Sequence, residues 1–143
     1  MAMTCQDVMK TDVKCISPQT TVEDAAVAMR DQNVGFLPVC DAARRVLGVM
    51  TDRDIAIRVV ANREALAQPV EKFMTRKIVA CRPGDDLGYA EELMSQEKVS
   101  RIMCVNEEGI LQGIISLSDI AQREEGARAS ATLRNVSERE ARI

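Results

Sequence analysis

Two short stretches carry the side chains best suited to chemistry. In GVMTDRDIA (48–56) Thr51 precedes Asp54 by three residues, and in GIISLSDIA (113–121) Ser116 precedes Asp119 by the same step. A carboxylate in such a place can accept two hydrogen bonds from vicinal hydroxyls, as on a ribose, while the Thr or Ser hydroxyl donates to a third polar atom. The same spacing is also a capping box, in which hydroxyl and carboxylate satisfy backbone N–H groups at a helix start. Both readings stay open at this point. Each motif follows a Gly-apolar-apolar step, so the pair emerges where a strand ends and a helix begins, and helix N-termini there offer donors to phosphate.

Other chemistries are removed by what the chain lacks. It contains no histidine, which excludes Ser-His-Asp and Cys-His catalysis and histidine metal ligation. The sequence holds neither a G-x-x-x-x-G-K-[ST] loop nor a G-x-G-x-x-G turn, the two common glycine cradles for phosphates. No nucleophile–base pairing accompanies Asp54 or Asp119, so no catalytic residue is assigned and no enzyme is expected. The five cysteines include no C-x-x-C pair. Cys15, Cys40, Cys81 and Cys104 sit in short apolar runs, where a thiol behaves as a small hydrophobe, and no metal site is expected.

The elements that must position the two motifs are written twice. A shift of 65 residues lays 9–56 on 74–121 without a gap, so Met9 meets Met74, Pro18 meets Pro83, Met29 meets Met94 and Gly48 meets Gly113. Each copy opens with a short extended run closed by proline. In the first copy TTVEDAAVAMRDQ then sets Val22, Ala25, Ala26 and Met29 on one helical face, with Thr21 and Asp24 as a capping-box start. Two β-rich runs joined by a polar turn at 41–45 follow, and a second helix begins after Thr51. The second copy repeats this with DLGYAEELMSQ as helix, RIMCVN and LQGII as strands and EEG as turn.

The predicted fold is α+β, two pseudo-symmetric β-α-β-β-α repeats with two equivalent clefts. The repeats are expected at 1–61 and 73–122, with a connection at 62–72, a charged tail at 123–143 and a helix break at Gly126. Hydrophobic residues are 46% of the chain but only two Phe and one Tyr are aromatic, so the core must be aliphatic. A single repeat leaves an apolar sheet face that it cannot cover alone. The helical pairs Val27/Met29 and Leu93/Met94 are candidate faces for a partner.

These marks together resemble a tandem cystathionine beta-synthase (CBS) domain pair, or Bateman module. They include VMKTDVKCISPQTTVEDAAVAM, VGFLPVCD, VLGVMTDRDIA, FMTRKIVACRPGDDLGYAEELM, VSRIMCVNEEG and LQGIISLSDIA. The resemblance spans roughly 4–122 and is similar in size to small stand-alone bacterial CBS-pair proteins of the hypoxic response protein type. It implies that Asp54 and Asp119 grip ribose hydroxyls, with Thr51 and Ser116 as their hydroxyl partners. It also implies phosphate contacts from Arg101 and Arg53, and a base pocket around Ile16, Ser17, Ala80 and Cys81. Phe36 stands where the second copy has Arg101, and Met103 where the first has Pro38, so unequal clefts are expected, with the Asp119 side the better phosphate site.

The implied function is a regulatory sensor taking AMP, ADP, ATP or S-adenosylmethionine as a regulatory ligand, with no required cofactor. Such a module pairs into a homodimer and signals to an effector protein whose identity is not in these residues. The alternative is a ligand-free dimeric scaffold acting through protein contacts. Nucleic acid is disfavoured as a partner by the net charge of −3 and by basic residues scattered without a patch. No apolar run reaches the roughly 18 residues of a membrane span, and the first residues lack a signal-peptide pattern. A cytoplasmic protein is expected.

Overall fold

The computed structural model describes residues 3–123 together with 132, 135 and 136. The expected tail and its break at Gly126 otherwise lie outside the described residues. The chain opens with one helical turn, α1 (Cys5–Val8), closed by a capping box between Thr4 and Asp7. Next come α2 (Val22–Gln32), the antiparallel pair β1 (Phe36–Cys40) and β2 (Val46–Thr51), and α3 (Asp52–Asp54), which widens into a π-helical stretch at Ile55–Val60. The second copy supplies β3 (Ala80–Cys81), α4 (Leu87–Glu97), β4 (Arg101–Val105), β5 (Leu111–Ser116) and α5 (Leu117–Arg123). This is the mixed α+β order read from the repeat. No helix among the described residues is long and apolar enough to cross a membrane.

Local chemistry sets the element ends. Thr21 Oγ1 accepts the N–H of Asp24 at 3.1 Å and starts α2, without the reciprocal carboxylate half of the expected box. The helix ends at Asn33 in the left-handed region, φ 55°, a conformation Asn tolerates better than most residues. Asp41 Oδ1 accepts N–H groups from Ala43 and Arg45 and holds the polar turn between β1 and β2. In the second copy Asn106 does the same for Glu108 and Ile110, and Gly109 takes φ 80°.

The chain packs as two compact units, Lys14–Ile78 and Met1–Val13 with Val79–Ile143. The core of the first joins Val22, Ala25 and Met29 of α2 to Leu37, Val39, Met50, Val59, Val70 and Met74. Leu87, Ala90 and Met94 of α4 do the same in the other unit, with Cys5, Val8, Cys81, Ile102, Cys104, Ile115 and Ile120. Burying each large aliphatic side chain is worth about 1.5–3 kcal/mol. Met29 and Met94 are thus core rather than partner-facing. Val27 stays 38% exposed, Leu93 is half-buried, and the apolar surface also includes Ile57, Val60 and Tyr89.

The opening strand of each copy differs for a backbone reason. In the first unit Ile16 makes only an isolated parallel bridge to Val39, donating to Pro38 O. Pro38 has no N–H to return. At the equivalent place Met103 donates to Val79 O, and β3 runs parallel to β4 over Ala80↔Met103 and Cys81↔Cys104.

Each unit also takes in a strap from beyond its own β-α-β-β-α run. Thr75 exchanges two backbone hydrogen bonds with Val49, at 2.8 and 2.9 Å, and Lys10 exchanges two with Ile114, both 2.9 Å. Here glycine is required. A Cβ on Gly48 would sit 2.6 Å from Thr75 O, and one on Gly113 would sit 2.7 Å from Lys10 O. The two glycines seen in the repeat let the strap lie directly on the strand.

Candidate functional site

Strand β2 ends at Thr51 and strand β5 at Ser116, each delivering its hydroxyl to a helix start. Thr51 Oγ1 accepts the Asp54 N–H at 3.1 Å, and Asp54 Oδ2 accepts the Thr51 N–H at 3.0 Å. Ser116 and Asp119 form the same reciprocal pair at 3.2 and 3.0 Å. Both carboxylates are pulled inward by these bonds, leaving Asp54 6% and Asp119 8% exposed. A buried carboxylate needs further partners, and the straps supply them.

Beside Asp54, the Thr75 hydroxyl donates to Oδ1 and Oδ2 at 3.1 and 3.2 Å. Arg58, one turn further along the helix, places Nε 3.6 Å from Oδ1 and donates through Nη1 to the carbonyls of Phe73 and Met74. Arg58 thereby ties the strap to the carboxylate. Beside Asp119, the strap residue is Lys10, whose Nζ lies 3.5 Å from Oδ1 on a side chain that is 74% exposed. Ser116 Oγ is also 2.8 Å from Ser118 Oγ.

A cleft of ≈ 830 Å³ opens next to the Asp54 cluster, lined by Arg58, Lys72, Thr75, Arg76 and Lys77, with Met74 and Glu71. Four cationic side chains face one carboxylate there, a lining suited to an anion such as phosphate. Sequence reasoning missed Thr75, Arg58 and Lys10 as partners of the aspartates. The signal was present: Lys10 and Thr75 occupy one repeat position, and Arg58 sits four residues after Asp54.

The other expected residues fall as follows. Arg101 is exposed at the head of β4 and is the strand partner of Ser116, just as Phe36 is the partner of Thr51. Arg53 is exposed on α3, and its side chain is not among those lining the cleft. Ile16 and Ala80 are half-buried at the opening strands, and Ser17 is exposed. Cys81 is 3% exposed with its sulfur in the core, so only its backbone is available to a bound molecule.

Comparison with known proteins agrees with this plan. The CBS domain family matches residues 5–61 and again 70–126. The CBS domain-containing protein YhcV of Bacillus subtilis is 34% identical over 133 residues, covering 92% of this chain and 94% of its own. Hypoxic response protein I, solved with two coordinated zinc ions, is 27% identical with a TM-score of 0.77, over 86% of this chain and 100% of that one. The CBS domain pair of MJ0100, solved with 5′-methylthioadenosine and S-adenosyl-L-methionine, shares the fold at a TM-score of 0.77 and 20% identity, over 86% of this chain and 96% of that one.

Proposed function

Because the chain belongs to the CBS domain family and carries two such domains in tandem, we propose that it is a regulatory sensor, not an enzyme. Its ligand is an adenosine nucleotide or adenosyl compound of the AMP, ADP, ATP or S-adenosylmethionine class, with no required cofactor. The observation that carries this reading is the pair of buried, preoriented carboxylates at strand–helix junctions, one of them beside a cationic cleft. Asp54 and Asp119 accept ribose hydroxyls, and Thr51 and Ser116 hold them by the capping bonds.

The Lys10 ammonium, mostly in water, swings from Asp119 Oδ1 to a phosphate and frees that oxygen for the ribose. Arg58 makes the same exchange at Asp54. Arg101, next to Ser116, and Arg53 reach phosphate, while Ile16, Ser17, Ala80 and the Cys81 backbone border the base. That a CBS pair of the same fold holds adenosyl ligands in MJ0100 supports the ligand class. Occupancy shifts the population of conformers that an effector protein reads in the cytoplasm. The module is a homodimer, using exposed apolar residues such as Val27 and Tyr89, and size-exclusion chromatography with light scattering checks this.

The test is a thermal-shift and calorimetric panel of the four ligands against protein stripped of bound nucleotide. A ligand at 100 times its Kd stabilises by about 2.7 kcal/mol. Asp54→Ala or Asp119→Ala should weaken binding by about 1.5–3 kcal/mol, roughly 10- to 150-fold, through the lost charge-assisted bonds. The second reading, a ligand-free dimeric scaffold, is favoured by one specific observation: each aspartate already has one oxygen in a helix cap and the other held by a strap residue. A flat response to all four ligands selects it.

A further inference from the structure

Three cysteines distant in sequence converge in the core of one unit. Cys5 comes from α1, Cys81 from β3 and Cys104 from β4. The Cys81 sulfur lies 3.5 Å from that of Cys5 and 3.4 Å from that of Cys104. All three sulfurs fall within 4.8 Å of one another, and the residues are 0%, 3% and 0% exposed. Backbone pairing fixes the triangle: Cys81 and Cys104 are register partners, and the Cys5 N–H donates to Asp85 O at 2.9 Å.

The repeat provides an internal control. Sixty-five residues from Cys5, Cys81 and Cys104 stand Val70, Ile16 and Val39. They occupy the same backbone places, with Ile16 bridging Val39 and the Val70 N–H donating to Thr20 O. All three pack in the core of the other unit. The fold therefore fills this spot with aliphatic side chains when packing alone is asked of it. Three sulfurs there are a property of this copy, not of the architecture.

We propose that Cys5, Cys81 and Cys104 form a three-sulfur site for a soft, thiophilic ion of the class of copper(I) or trivalent arsenic. Thiolates select soft ions, and three metal–sulfur bonds of about 2.3 Å in a plane set the sulfurs about 4.0 Å apart, within half an ångström or so of the 3.5 and 3.4 Å present. A structural zinc ion would require a fourth ligand. The chain has no histidine, and no fourth cysteine or carboxylate joins the group among the described residues.

The chemistry is ligand exchange without redox change. Copper(I) forms up to three sulfur bonds, each replacing a thiol proton that goes to solvent. Each of the three hydroxyls of arsenous acid leaves as water with the proton of the thiol that replaces it, and the resulting three-sulfur complex is neutral and suits an apolar core. Entry requires only that α1, a single helical turn, lifts from its place.

The test compares the full reduced chain with Cys5→Val/Cys81→Ile/Cys104→Val, which borrows the residues of the sister unit and keeps Cys15 and Cys40. Copper(I) is titrated in competition with bicinchoninate, and arsenite by native mass spectrometry. X-ray absorption counts the sulfur neighbours. One ion per chain with three sulfur neighbours is expected, lost by more than ~100-fold in the triple variant. Binding by only one of the two ions identifies which the site takes. Equal binding by wild type and variant, two sulfur neighbours, or tight binding of zinc instead would overturn the proposal. If the triple variant fails to unfold cooperatively, Cys5→Val alone must show the same loss.

Discussion

The Thr75 hydroxyl donates to both oxygens of Asp54 across 21 residues of chain. In the other unit the same strap position carries Lys10, whose ammonium reaches Asp119 from the far end of the sequence. One fold therefore neutralises its two buried carboxylates by different means, a neutral donor with an arginine behind it and an exposed ammonium. The difference sets how easily each carboxylate is released.

Thr75→Val removes a hydrogen bond to a charged, buried oxygen and should cost about 1.5–3 kcal/mol. Lys10→Met breaks an ion pair whose lysine is mostly in water and should cost about 0–1 kcal/mol. Urea unfolding of the two variants measures both. A larger loss for Lys10→Met would show that Asp119, not Asp54, depends more on its strap.

Gly48→Ala and Gly113→Ala each push a methyl group against a strap carbonyl, at 2.6 and 2.7 Å. Relief requires the strap to lift, so a loss of about 1–3 kcal/mol is expected for each. Gly84→Ala is the control, since a Cβ there meets nothing within 4 Å. Its melting temperature should match wild type closely. Equal losses at all three positions would mean that the close approach is not what demands glycine.

Acid should loosen α1 early. The Thr4 N–H, and then its hydroxyl, hold the Asp7 carboxyl below its ordinary value of 3.8. A carboxyl lowered in the folded state contributes stability above its unfolded value of about 3.9 and loses it as pH falls through the folded value. The Thr4 and Asp7 amides should therefore lose hydrogen-exchange protection below pH ~4. Asp7→Asn should show that weaker protection at neutral pH already, with a flatter acid dependence. An unchanged profile in the variant would remove Asp7 as the cause.

What the sequence made legible was local or periodic. The capping pairs span three residues, the turns at Asp41 and Asn106 span five or fewer, and the register of 65 exposes Gly48 with Gly113. The partners of the aspartates were hidden because backbone pairing, not spacing, brings Thr75 to Val49 and Lys10 to Ile114. The weak first strand was hidden in a single missing N–H at Pro38. The grouping of Cys5 with Cys81 and Cys104 was hidden for the same reason as the straps, since α1 packs on strands that follow it by more than seventy residues.

The strap from Lys10 also orders events during synthesis. Lys14–Ile78 is continuous in the chain, so its pairings of Thr21 with Pro69 and Val49 with Thr75 can close once Ile78 has left the ribosome. Cys5 and Lys10 precede that unit in the chain, yet Cys5 finds its partners only at Cys81 and Asp85 and Lys10 only at Ile114. Residues made before the unit at Lys14–Ile78 are thus buried after it, whereas domains otherwise fold as units from the N-terminus. Through that interval an apolar, cysteine-bearing segment travels uncovered ahead of a finished neighbour, open to chaperones, to oxidants and to whatever ion its thiol first meets.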